Sequence, residues 1–192
     1  AARALQGREP GAARLVSVAL NKLGALQLAG GEPAAALGHF REALELRRGL
    51  LAADPHDADA RRDVAVSLSR LSEALVAAGD LAGALEAARE AWAMDQRLAA
   101  ADPANVDARL DVAYDLGTLA DLEGRLGRLP AALEHGRAGV ALLDRLVRGQ
   151  PDNTEIALLR AQQLLALGGL QARAGDLQAA GATWRAAERR AE

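Results

Sequence analysis

Residues 50–68 read LLAADPHDADARRDVAVSL and residues 98–116 read LAAADPANVDARLDVAYDL; twelve of the nineteen positions are identical at an offset of forty-eight. A chain that repeats itself at a fixed spacing is read first as an array, because the repeat is then the unit that folds. The same offset runs along the whole chain. Gly31, Gly79, Gly127 and Gly175 fall in register, as do Ala36, Ala84, Ala132 and Ala180, and Arg41, Arg89, Arg137 and Arg185. Leu20, Leu68, Leu116 and Leu164 form another row, Leu23, Leu71, Leu119 and Leu167 a further one, and Pro55, Pro103 and Pro151 a shorter one. The rows divide residues 1–192 into a single array of four copies, approximately 7–54, 55–102, 103–150 and 151–192, behind a short leader, 1–6.

Each copy reads as two helices. In the second, Asp57 is a candidate N-cap, and Ala60, Val64, Leu68, Leu71 and Leu75 follow at spacings of three and four, one stripe of a helix. Gly79-Asp80 interrupts the pattern with a residue suited to a left-handed end and one suited to cap the next helix. A second stripe runs through Leu81, Ala84, Leu85, Ala88, Ala91, Trp92 and Leu98 until Asp102-Pro103 stops it. Each helix is about twenty residues, roughly 30 Å long. A two-helix unit buries neither stripe alone, so the copies must stack on one another.

Composition points the same way. Half the residues are hydrophobic but only 2% are aromatic, and the apolar content is mostly Ala and Leu, which favour helices. The formal net charge of −3 argues against a nucleic-acid partner, which requires a basic stripe. The absence of cysteine removes disulfides, thiol catalysis and cysteine-bound zinc. No apolar run reaches the ~18 residues of a membrane span, and the first residues carry no apolar signal core, so no membrane association is expected and a cytoplasmic location is. The chain has no initiator methionine, and its fourth copy stops at Glu192 before its own proline; a piece or processed form of a longer protein is expected, or an end that packs against another molecule or self-associates.

The rows resemble the tetratricopeptide repeat (TPR) family, whose unit is a helix-turn-helix with a W-x2-L-G-x2-Y…A-x3-F…A…P pattern. Leu68 sits at the first large position and Leu71 at the Leu position. The small position is Ser72 here and Gly24 and Gly168 in the first and last copies. Ala84, Ala88 and Ala91 take the second-helix positions, and Phe40 and Trp184 supply the second-helix aromatic in copies one and four. The pattern departs in three ways. The first aromatic is always Leu, the Tyr position is Gln27, Leu75, Glu123 and Gln171, and the period is forty-eight rather than thirty-four. Seven extra residues in each helix account for the period, since seven is close to two turns and keeps the buried face in place. The resemblance implies an all-α, right-handed superhelical solenoid of four helix-turn-helix repeats, about eight helices. It implies a long-repeat variant of the kind found in bacterial multidomain signalling proteins.

The resemblance also implies that first helices line a concave, peptide-holding face. The residues turned away from the packed stripe form rows across the copies: Val18, Val66, Tyr114 and Gln162; Asn21, Ser69, Gly117 and Leu165; Ala25, Glu73, Asp121 and Gly169; and, towards the added turns, Arg14, Arg62, Leu110 and Leu158. Val18, Val66 and Tyr114 are the expected apolar anchors, with Asn21, Arg62, Ser69, Glu73, Asp121, Arg125 and Arg173 the expected polar partners. Tyr114 is the first candidate, because aromatic anchors dominate interface energetics. The paired Lys and Asn with which some members of the family grip a C-terminal carboxylate are absent, since the first copy has Asn21 and Ala25 there.

Nothing in the sequence specifies catalysis. His39 and His135 are equivalent positions two copies apart and read, with His56, as surface histidines rather than metal ligands. Asp63 and Asp111 recur a full repeat apart, the mark of a structural role. Gly136 and Gly139 lie inside a helix at about 1 kcal/mol each against Ala, from close packing or local softness, so the third copy is expected to be the most mobile. The expected function is a non-enzymatic scaffold without cofactor that binds a protein or peptide in its groove, as a module of a larger protein. The alternative is a regulatory domain that changes its superhelical pitch on binding a peptide.

Overall fold

The four in-register glycines all end a helix in the left-handed region, with φ of 78° at Gly31, 85° at Gly79, 76° at Gly127 and 87° at Gly175. That conformation crowds any Cβ, which is why glycine recurs there. Two backbone bonds close each end: around Gly79 they run from Asp80 N to Leu75 O at 2.9 Å and from Gly79 N to Val76 O at 3.1 Å, and the same pair recurs at the other three glycines.

The computed structural model describes residues 10–188. They form α1 (Pro10–Ala29), α2 (Pro33–Ala53), α3 (Ala58–Ala77), α4 (Leu81–Ala101), α5 (Val106–Arg125), α6 (Leu129–Gly149), α7 (Thr154–Arg173) and α8 (Leu177–Glu188), with no strand among them. First helices begin at residues 10, 58, 106 and 154 and second helices at 33, 81, 129 and 177, so both sets recur every forty-eight residues. The leader, 1–6, lies outside the described residues. The chain is therefore all-α, built of consecutive helix-turn-helix repeats.

The caps follow the sequence. Asp57 accepts from Ala60 N at 2.9 Å and opens α3; Asn105 does the same for α5 from Ala108 N at 3.0 Å, and Asn153 for α7 from Ile156 N at 3.2 Å. Asp80 and Asp176 cap α4 and α8 through Gly83 N and Ala179 N. The second helices of copies one and three have no side-chain cap and instead carry a proline in the first turn, where the missing N–H costs nothing.

Contacts group the chain into two compact units, one ending at Met94 and one beginning at Asp95, the boundary falling within α4. In the first unit, Phe40 and Ala36 of α2 pack with Ala74 of α3, and Leu28, Leu37 and Leu71 surround them. In the second, Leu110 and Ala113 of α5, Leu143, Leu146 and Val147 of α6, and Ile156 and Leu159 of α7 form a core at the ends near the proline turns. A second cluster, Ala120, Ala132 and Leu170, lies near the glycine turns.

Small residues set how closely helices approach. A Cβ on Gly24 would fall 2.7 Å from Phe40 Cε1, and one on Gly168 would overlap the Trp184 indole. The aromatics at positions 40 and 184 thus face glycines, whereas the equivalent pairs in copies two and three are both small: Ser72 with Ala88, and Ala120 with Gly136. Gly136 and Gly139 are buried, and Cβ atoms there would lie 3.2 Å from Leu167 Cδ1 and 3.3 Å from Leu116 Cβ. Of the two readings the sequence allowed for these glycines, the structure shows close packing.

One packed row is incomplete. Leu119 and Leu167 are 0% and 5% exposed, but Leu23, in the same register, is 48% exposed. Leu167 lies against Gly136 of the preceding second helix, α6, whereas α1 has no preceding helix among the described residues.

Candidate peptide-binding faces

The first helices α1 and α3 form one candidate face within the first unit. Val18 and Val66 are exposed on it at 37% and 44%. Ser69 donates to Ala65 O at 3.2 Å and Glu73 pairs with Arg70 at 2.9 Å. Arg62 is exposed. Asn21 is half-buried against Arg47; with its amide oxygen turned to the guanidinium it accepts from Nη1 at 3.0 Å and Nη2 at 3.2 Å. It is therefore held by the interior.

The first helices α5 and α7 form the corresponding face of the second unit. Tyr114 is 44% exposed and its hydroxyl donates to Glu155 at 3.4 Å across the two helices. Burial raises the phenol pKa above its ordinary value, and the neighbouring Glu155 and Asp111 add to the shift. Asp121 pairs with Arg125 at 3.7 Å. Arg173 donates to Gly124 O at 2.7 Å, satisfying one of the last carbonyls of α5. Leu158 and Leu165 are exposed on α7 at 61% and 55%.

Three polar constellations beneath these faces were not read from the sequence. Arg47 is 5% exposed; its Nε donates to Ser17 at 3.1 Å and its Nη1 to Asp63 O at 2.6 Å and to Ser67 at 3.0 Å. Burial lowers its pKa, the Asp63 carboxylate opposes that, and Arg14 adds to it. Asp63 also pairs with Arg14 at 3.1 Å, so this recurring aspartate links neighbouring hairpins. One repeat on, Asp95 occupies the place of Arg47 and Asp115 that of Ser67. Both are nearly buried and hydrogen-bonded to each other. Burial first, then Asp95 and Asp111, push the Asp115 carboxyl up to about 9. Its Oδ2 has no hydrogen-bond partner. A further repeat on, Leu143 and Gln163 take the same two places, and the Gln163 amide donates to Ala113 O at 2.5 Å. The signal was one register row reading Arg, Asp, Leu within an apolar stripe.

Two histidines are not the surface residues expected. His39 and His135 are half-buried and their Nδ1 atoms lie 2.7 Å from Gln27 Oε1 and Glu123 Oε2, each linking the two helices of its hairpin. Gln27 and Glu123 stand where the repeat pattern has tyrosine, so the polar departure there is matched twelve residues later. Copy two has Leu75 and Ala87 at those places. His56 is exposed. Among the described residues no group of three or more His, Cys, Asp and Glu side chains could hold a metal ion, and no helix is long and apolar enough to cross a membrane.

The fold and these faces define a helix-turn-helix repeat protein, and the comparisons with known proteins agree at that level. Residues 16–57 match the tetratricopeptide repeat family. The crystal structure of BtubC (BKLC) from P. vanneervenii is similar, with a TM-score of 0.74 and 22% identity over 98% of this chain and 66% of that one. This chain thus spans about two thirds of the BtubC chain. At that identity the likeness shows the fold alone. The crystal structure of MamA is 14% identical over 82% of this chain and 91% of that one, at a TM-score of 0.31. No curated protein matches the chain significantly.

Proposed function

We propose that this chain is a non-enzymatic interaction module of the long-repeat tetratricopeptide kind, a piece of a larger cytoplasmic protein. It holds a segment of a partner polypeptide against the faces of its first helices. The observation that supports this is where the exposed apolar side chains lie. Of the ten large hydrophobic residues exposed among the described residues, five belong to the rows turned away from the packed stripe: Val18, Val66, Tyr114, Leu158 and Leu165. Isolated exposed apolar residues are ordinary, but their alignment in register along first helices forms patches of the kind that mark interaction sites. Arg62, Ser69, Glu73, Asp121 and Arg125 border the anchors and fix the register of the segment, while Asn21 and Arg173 brace the helices from within. Tetratricopeptide-like repeats generally act as protein-interaction scaffolds, which is the coarse form of the same reading.

A photo-reactive amino acid at Val66 or Tyr114, on first helices, and at Arg89 or Arg137, on second helices, tests it in cells. Cross-linked polypeptide adducts are expected from the first pair of positions. Adducts arising only from the second pair overturn the proposal.

A further inference from the structure

We infer that the α5–α7 face of the second unit is the docking site for a cationic amphipathic segment of a partner polypeptide. Its apolar side chains lie on Tyr114, Leu158 and Leu165, and its lysines or arginines face Asp107 and Glu155. The inference rests on the proposal above and names the chemistry of the ligand.

Four observations carry it. First, the apolar groups share a stripe. Leu158 lies one turn along α7 from Glu155 and Leu165 two turns further, while Tyr114 reaches Glu155 from α5. The distance from Leu158 to Leu165 is about 10 Å along the helix, the spacing of side chains two turns apart on a helical ligand. Second, this apolar character is local. Where α7 has Leu158 the first unit has Arg14 and Arg62, and where α7 has Leu165 it has Asn21 and Ser69. Third, two exposed carboxylates stand at one end of the face, while Asp121 near the other end is paired with Arg125. Asp107 and Glu155 are exposed in the first turns of α5 and α7, whereas the basic Arg125 and Arg173 stand in the last turns. The gradient gives the bound segment a direction, with its cationic end over the N-termini of α5 and α7. Fourth, the Tyr114 hydroxyl lies 3.4 Å from Glu155, which sets the aromatic anchor beside one of the carboxylates that would face the cation.

The test uses the full chain and two synthetic helical peptides of about 18 residues, five turns, labelled with a fluorophore. Both carry the same leucine stripe; one has lysine and the other glutamate at the remaining positions. Fluorescence anisotropy is expected to show the lysine peptide binding about tenfold or more tighter, weakening as salt is added. Leu158→Ser with Leu165→Ser, both exposed and so without cost to the fold, should reduce that affinity about tenfold, and Tyr114→Ser should act in the same direction. Leu177→Ser, at an equally exposed leucine on second helix α8, should leave it unchanged. Equal or tighter binding of the glutamate peptide overturns the inference, as does indifference to the leucine pair with circular dichroism unaltered. Sensitivity to Leu177→Ser instead also overturns it, while cross-linking from Val66 or Tyr114 would leave the broader proposal standing. Failure of cross-linking from first helices removes that broader proposal whatever the peptides do.

Discussion

Single residues in this chain are best understood by their counterparts forty-eight positions away. The pair at 27 and 39 is Gln with His, at 75 and 87 Leu with Ala, at 123 and 135 Glu with His, and at 171 and 183 Gln with Thr. Glu123 is 1% exposed and takes a 2.7 Å bond from His135. His135→Ala removes that bond from a buried carboxylate and should cost about 1–3 kcal/mol in chemical denaturation. Adding Glu123→Leu, which recreates the Leu and Ala of copy two, should recover most of the loss. Asp115 has a sign that can be worked out. Its folded pKa, about 9, lies above the ordinary carboxylate value, so the folded state holds a proton the unfolded chain releases. Stability is fully present below the unfolded value and declines as pH rises towards 9, with a limiting slope of about 1.4 kcal/mol per pH unit for one proton. Denaturant unfolding from pH 5 to 9 should show this decline, and Asp115→Asn should flatten it. A wild-type stability that rises over that range would contradict the assignment. None of these pairings was legible in the sequence, because a register row says which positions are equivalent but not which side chains across a hairpin meet.

The elements were the most legible part. Gly79, Asp57 and Asp102-Pro103 gave the ends of the helices because each acts through its own backbone, and local chemistry of that kind needs no tertiary knowledge. Gly127→Ala forces a Cβ into a backbone with φ of 76° and should destabilise by about 1–2 kcal/mol, read as a lowered midpoint of thermal unfolding. α6 carries the opposite lesson. Two internal glycines led to an expectation of mobility, yet both lie against side chains of α5 and α7. Amides between Gly136 and Val140 should therefore exchange as slowly as those between Ala84 and Ala88 of α4 when followed by hydrogen exchange. That result would show the cost of a glycine in an isolated helix offset by the closer approach it permits, and faster exchange would bear out the mobility expected from propensity.

For the molecule as a whole, the forty-eight-residue rhythm was sufficient to predict eight helices in consecutive hairpins. It was not sufficient to predict how function is distributed along them. The candidate rows were identified by helical geometry, and the structure leaves Val18, Val66 and Tyr114 exposed while engaging Asn21 and Arg173 with the protein itself. Leu158 and Leu165 belonged to the same rows but were not singled out, since leucine in a leucine-rich helix carries no signal until its exposure is known. Val66→Ser and Tyr114→Ser should both leave the thermal midpoint nearly unchanged while weakening the partner, since surface changes of this sort alter stability by about 0.5 kcal/mol or less.

The chain contains one tyrosine. Its ultraviolet phenolate band therefore belongs to Tyr114 alone, and an alkaline spectrophotometric titration reads a single atom on the α5–α7 face without any label. A visitor that merely shields the ring would delay ionisation further; one that brings ammonium or guanidinium groups would hasten it. The direction in which that one absorbance curve moves reports the charge of whatever has arrived.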